Sequence, residues 1–154
     1  MSPIPLTYRI IFNYVEPLLA TLGAIQAVVA PRDLLRLSLP SVPYTTAMYP
    51  LFPQMCGAWL MFAFHDVVTL RIYQDVHVWK HILGAAIFSD LGYTTGLVHS
   101  MGPAWFFNPL RWDGANAFTV VSTLLPLLAK ILFVLGVGLP RPAPPRIKVS
   151  DKEL

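Results

Sequence analysis

Four stretches of this chain run for about twenty residues with almost no charge, which is the length a helix needs to cross a bilayer. They are Ile10 to Ala30, Gln54 to Leu70, Val78 to Val98 and Ala115 to Leu139. An α-helix rises about 1.5 Å per residue, and the hydrocarbon core is about 30 Å thick. In lipid the backbone must satisfy its own hydrogen bonds, so each run reads as a helix. Only 12% of the residues are charged and 55% are hydrophobic, against roughly a quarter charged in a soluble domain. A soluble fold of this size has too little interior to hide that surface. The expected fold is therefore all-α: an integral membrane four-helix transmembrane bundle over residues 1–140. A flexible cytosolic tail over 141–154 follows, opening on the proline-rich segment Pro140 to Pro145.

No linker or 20 to 50-residue repeat divides the chain, so one domain is expected. The first run contains Glu16 and Pro17 and reads as a mature helix rather than a signal peptide. Most of the fifteen prolines fall in loops, at run boundaries or in the tail, where a missing N–H does least damage. Pro126 stands inside the fourth run and predicts a kink there. The single cysteine, Cys56, excludes a disulfide within the chain and reads as a packing residue.

Four spans put both termini on one side. That side collects seven cations, Arg9, Arg71, Lys80, Arg141, Arg146, Lys148 and Lys152, against Arg32, Arg36 and Arg111 on the other. The bias places both termini in the cytosol, with the endoplasmic reticulum as the expected membrane. The net charge of +3 then reflects topology. A basic face interleaved with stacking aromatics is missing, which argues against a nucleic-acid partner.

A charge near the bilayer centre costs at least about 2.5 kcal/mol, so Glu16, His65, Asp66, Asp90 and Lys130 are the informative residues. Counted along the helices, Glu16, Asp66 and Lys130 fall in one layer below the cytosolic interface, with Asp90 deeper. Face counting aligns Arg9, Asn13, Glu16 and Gly23 on the first span, and Trp59, Phe62 and Asp66 on the second. On the third it aligns Asp90 with Trp79, Tyr93, Thr94 and Leu97. The pattern predicts an aromatic-walled cavity. Its candidate catalytic residues are Glu16, Asp66 and Asp90, and its candidate substrate contacts are Asn13, Trp59, Phe62, His65, Tyr93 and Lys130. Carboxyls in an apolar cavity suit proton transfer; the competing reading is that Lys130 pairs with a carboxylate only to hold the bundle together.

His65 and Asp66 are adjacent and point about 100° apart, and the spacing of a metal-ligand set is missing. No metal and no cofactor are expected. Gly92 and Gly96 form a G-x-x-x-G pair that predicts close helix packing. Trp105, Phe106, Phe107, Arg111 and Trp112 read as an interfacial anchor.

The segments Ile4 to Arg9 and Tyr14 to Pro17, Leu70-Arg71 with Asp75 to Trp79, Asp90-Leu91-Gly92 and Gly136-Val137-Gly138 resemble a family of small fungal four-span membrane proteins. Its members are often encoded beside secondary-metabolite pathways. The family pattern has a histidine two or three residues after the third-span aspartate, where this chain has Tyr93. The resemblance implies membrane hydrolases and cyclases that act on polyene polyketide epoxides. Epoxide opening needs an acid for the departing oxygen and a base for the attacking water or hydroxyl. The implied partners are a lipophilic small-molecule substrate, membrane lipid and a second copy of the chain in a homo-oligomer. Two alternatives stay open: an isomerase of the sterol-isomerase and emopamil-binding class, and a non-enzymatic membrane scaffold.

Overall fold

The computed structural model describes residues 4–140, and every regular element in that range is helical. The expected tail over 141–154 lies outside the described residues. Helix α1 spans Leu6–Val29 and stops at Ala30, because the residue before a proline avoids the helical region. Pro31 then opens α2, Pro31–Ser38, which carries Asp33 in its first turn and Arg36 in its last, the polarity the helix dipole favours. Helix α3 covers Thr46–Ile72. Asp75 caps α4, Val76–Met101, by accepting from the His77 and Val78 N–H groups. Gly102, at φ 82°, ends it and leads into the short α5, Pro103–Phe106. Asp113 accepts from the Asn116 N–H to start α6, Gly114–Val134.

Helices α1, α3 and α6 are long and apolar enough to cross a membrane. The fourth expected span needs correction. At 26 residues α4 is long enough to span, about 39 Å at 1.5 Å per residue. Lys80, His81, Ser89, Asp90, Tyr93, Thr94 and Thr95 nevertheless keep it below the apolarity of the other three. Outward-facing side chains such as Leu18, Leu22, Ile25, Phe64, Phe88 and Leu128 stay exposed, as lipid contact requires.

The four long helices run alternately up and down. Helices α1 and α3 are antiparallel neighbours: Ala27 shares a cluster with Phe52 at one end, and Asn13 meets Arg71 at the other. Helices α4 and α6 likewise pair Trp79 and Leu83 with Phe133 and Ala129, and Leu97 with Val120. The end where Ile4 and Leu139 meet is sealed by Phe12, Leu70, Trp79, Leu83 and Phe133. Its rings stack edge to face, Phe12 lying 6.3 Å from both Trp79 and Phe133, contacts worth about 0.5–1.5 kcal/mol each beyond area. Trp79 therefore belongs to the core and not to a cavity wall. Its indole N–H donates to the Leu70 and Tyr73 carbonyls at 3.1 and 2.9 Å, locking the α3–α4 turn. At the loop end, Phe106 is buried with Leu97 and Val120 while Phe107 is exposed, so only part of the aromatic segment is free to anchor at an interface. Cys56 packs beside the Ala27, Leu34, Leu35 and Phe52 cluster.

Two π-helical turns interrupt the long helices: Ile11–Val15 in α1 and His65–Thr69 in α3. In each, an N–H reaches back five residues, Glu16 to Ile11 and Leu70 to His65. Pro17 explains the first. It has no N–H for the Asn13 carbonyl and its ring would press on that carbonyl, so the turn widens. The second contains no proline, and the two widened turns pack against each other.

Candidate functional site

Lys130 projects from α6 toward the loop end, because helical side chains lean toward their own N-terminus. Its long stem carries the ammonium to two carboxylates from two other helices. Nζ donates to Asp90 Oδ2 of α4 at 2.7 Å and forms an ion pair with Glu16 Oε1 of α1. The lysine is only 2% exposed. Helices α1, α4 and α6 thus converge on one ammonium.

This corrects the expected layering. Asp90 does sit farther along its helix than Glu16, but the lysine stem spans the difference, so Asp90 joins the ion cluster. Asp66 makes no ion pair within 4.0 Å among the described residues; it is 4% exposed, and its Oδ2 has no hydrogen-bond partner. It lies within Coulombic reach of Glu16, Lys130 and Asp90. Asn13 Oδ1 and Glu16 Oε2 are also buried without a donor. Two carboxylates therefore pair with a single cation, and the Asp66 carboxyl lies within Coulombic reach of all three.

A cavity of about 250 Å³ opens on the cluster, with Glu16 and Asp90 on its wall beside Trp59, Phe62, Tyr93 and Ser38. Three of the expected contacts, Trp59, Phe62 and Tyr93, thus share the cavity with both ion-pair carboxylates. Lys130 lies behind those carboxylates and does not face the open space. Tyr93 bonds Ser38 Oγ through its hydroxyl at 2.9 Å, and its ring meets Trp59 edge to face at 6.1 Å.

Other expected contacts fall elsewhere. The π turn in α1 breaks the line Arg9, Asn13, Glu16, Gly23. Glu16 and Gly23 face the cavity, while Arg9 and Asn13 border a separate cleft with Tyr14 and Arg71. The extra residue in the turn rotates one half of α1 against the other. On α3, Trp59 and Phe62 reach the cavity and Asp66 does not. His65 also lies off the wall; its Nδ1 bonds Thr69 Oγ1 at 3.1 Å inside the second π turn. Gly92 and Gly96 pack against no helix, since a Cβ on either would meet nothing within 4 Å. Pro126 is buried and borders the cavity, and α6 stays helical across it.

Sequence reasoning missed Ser38, Gln26, Ser122 and the threonines Thr119 and Thr123, all on the wall. Ser38 had a usable signal: Pro31 at the first helical position, acidic then basic residues, and the apolar pair Leu34-Leu35 mark a short amphipathic helix. The threonines gave none, because their hydroxyls read as ordinary span residues that bond their own backbone, as Thr119 does to Ala115 at 3.0 Å. Among the described residues no three His, Cys, Asp or Glu side chains gather as a metal-ligand set.

The cluster offers carboxyl oxygens to a guest, an ammonium that anchors two of them, and a tyrosine hydroxyl near the same space. That set can accept and return protons. No curated protein and no solved structure matches the chain. A family model does, over residues 1–140, described as a domain of unknown function, and the chain belongs to that family, DUF7704.

Proposed function

We propose that this protein is a membrane-embedded acid/base enzyme acting on a lipophilic small molecule. The carrying observation is that Glu16 and Asp90, tied to one buried lysine, both face the same cavity. A purely structural ion pair needs one carboxylate. This cluster holds three carboxyls for one ammonium, and leaving two unbalanced charges in a low-dielectric interior costs several kcal/mol per ion. A surplus of carboxyls over ammonium is what proton transfer needs, one group to give a proton and one to take it. We place it in a four-span bundle of the endoplasmic reticulum membrane with both termini cytosolic, α4 crossing with its polar face turned inward.

The resemblance to fungal membrane hydrolases and cyclases narrows the reaction to epoxide opening in a polyketide. One carboxyl of the Glu16–Asp90 pair gives its proton to the epoxide oxygen as that C–O bond breaks. The other takes a proton from water or a substrate hydroxyl as the new C–O bond forms. The proton gained by the base returns to the acid through the shared ammonium, with Asp66 as a reserve behind the pair. An isomerase of the sterol-isomerase class would use the same set without adding water, and a scaffold would not use it at all.

The test is turnover of a panel of lipophilic epoxides in ¹⁸O-water, with products weighed by mass spectrometry. Hydrolysis adds labelled oxygen, cyclisation leaves the mass unchanged, and isomerisation takes up deuterium from D₂O. Glu16→Gln and Asp90→Asn are expected to slow turnover by about 10² to 10⁴. Full activity in Glu16→Gln, Asp66→Asn and Asp90→Asn alike would return the cluster to a structural role.

A further inference from the structure

Beyond the ion cluster lies a second, larger chamber. It measures about 530 Å³ and is walled by Leu35 of α2, Phe52 and Met55 of α3, and Gly92, Gly96 and Leu97 of α4. A volume of this size falls in the ordinary range for ligand sites. The two spaces adjoin: Leu34, Ser38, Trp59, Ser89 and Tyr93 line both. Tyr93 stands at the waist between them, held by Ser38 Oγ and by the edge of Trp59.

The walls divide the chemistry. On one side of Tyr93 are Glu16 and Asp90. On the other, apart from the shared waist, the wall is hydrocarbon, thioether and bare glycine backbone. The glycine pair is what leaves the chamber open, since any side chain at Gly92 or Gly96 would project into unfilled space.

We infer that the apolar chamber holds the hydrocarbon body of the substrate while an oxygen function of that same molecule reaches past Tyr93 to Glu16 and Asp90. The inference rests on the acid/base reading and adds the substrate class: an elongated lipophile with one oxygenated end, bound across the waist. The Tyr93 hydroxyl, now bonded to Ser38, is placed to turn toward the oxygen as it enters. Tyr93 and Ser38 are thereby positioning residues that sort the polar end from the apolar body.

The experiment uses the full chain in nanodiscs and two photoreactive probes, a long-chain primary alcohol with a mid-chain diazirine and the matching alkane without the hydroxyl. Cross-links are mapped by mass spectrometry. The alcohol is expected to label the chamber wall between Met48 and Met55 and between Gly92 and Leu97, and to do so more strongly than the alkane. At Gly96 and Gly92 an added Cβ meets nothing within 4 Å, so Gly96→Leu and Gly92→Leu put bulk into the chamber, and either is expected to cut that labelling by about tenfold, since each factor of ten is about 1.4 kcal/mol of binding. Tyr93→Phe is expected to erase the preference for the alcohol and leave alkane labelling unchanged. Equal labelling by both probes, or labelling confined to outward residues such as Phe88 and Leu128, overturns the inference. Wild-type labelling is read without any variant folding, and it does not depend on turnover, so failure of the acid/base reading in Glu16→Gln leaves this result standing apart.

Discussion

Gly23 of α1 and Trp59 of α3 approach so closely that a Cβ on the glycine would stand 2.9 Å from the indole Cζ3. The glycine is therefore the seat of the indole that walls both cavities. Gly23→Val must displace the ring, and overpacking of this kind costs about 1–3 kcal/mol. A lower thermal midpoint in detergent, with a shift in tryptophan emission, is the expected result. An unchanged midpoint would mean that the two helices separate freely at this level.

Lys130→Met removes the only cation of the cluster among the described residues and leaves Glu16 and Asp90 facing each other. Breaking one partner of a buried pair costs about 3–5 kcal/mol, and the lower end is expected because Asp90 is 25% exposed. Adding Glu16→Gln and Asp90→Asn to Lys130→Met is expected to restore most of the thermal midpoint. A triple variant as unstable as the single one would show that the lysine stem, and not its charge, holds the helices.

Arg71 Nη2 donates to the Asn13 carbonyl at 2.8 Å, the carbonyl that Pro17 leaves without its usual donor, while its guanidinium lies 4.7 Å from the Tyr14 ring centroid. Arg71→Met is expected to cost roughly 1 kcal/mol, the modest end for a charge-assisted bond because the arginine is exposed. Hydrogen exchange should rise in the Ile11–Val15 turn and not at the loop end. Arg71→Lys should rescue poorly, since an ammonium lacks the planar fork that stacks and donates together.

The N–H groups of Val78 and then His77 hold the Asp75 carboxyl below the usual carboxylate range. A depressed folded value means that this cap contributes fully above the ordinary aspartate value of about 4 and is lost as the pH falls through the lowered one. The wild-type midpoint is therefore expected to drop more steeply than that of Asp75→Asn over this acid range, because asparagine caps without titrating. Parallel pH curves for the two proteins would remove Asp75 from the acid response.

The helical class was legible in the sequence because lipid leaves the backbone few options, and Pro31 marked the end of the first helix; elsewhere the apolar runs misplaced the ends, since α1 begins at Leu6 and not Ile10, α3 at Thr46 and not Gln54, and α6 stops at Val134 and not Leu139. The wall residues Trp59, Phe62, Tyr93, Glu16 and Asp90 were legible for the same reason, each being costly or bulky in a span. What was not legible was rotation. Face counting assumes 3.6 residues per turn, and the π turns at Ile11–Val15 and His65–Thr69 void that assumption where Asn13, His65 and Asp66 sit. Pro17 signalled the first turn, and nothing in His65 to Thr69 signalled the second. Lys130 was placed in depth by its Cα, although its stem carries the charge to Asp90. The Gly92–Gly96 pair misled because a small-residue stripe fits a helix contact and an empty wall equally well.

Each π turn holds one residue more than its helix needs. Tightening the first of them to a regular turn with every residue kept would leave both halves of α1 helical, yet it would turn everything after it by about 100° relative to everything before. Phe12 would keep its place among Trp79 and Phe133, while Glu16 and Gly23 would swing away from the cavity. The long helices α1 and α3 thus act as spliced rods, one half committed to the sealed end and the other to the chemistry, with a single residue setting the angle of the joint. Stability and site geometry can then change independently in this fold, by the width of one turn as much as by substitution on the wall.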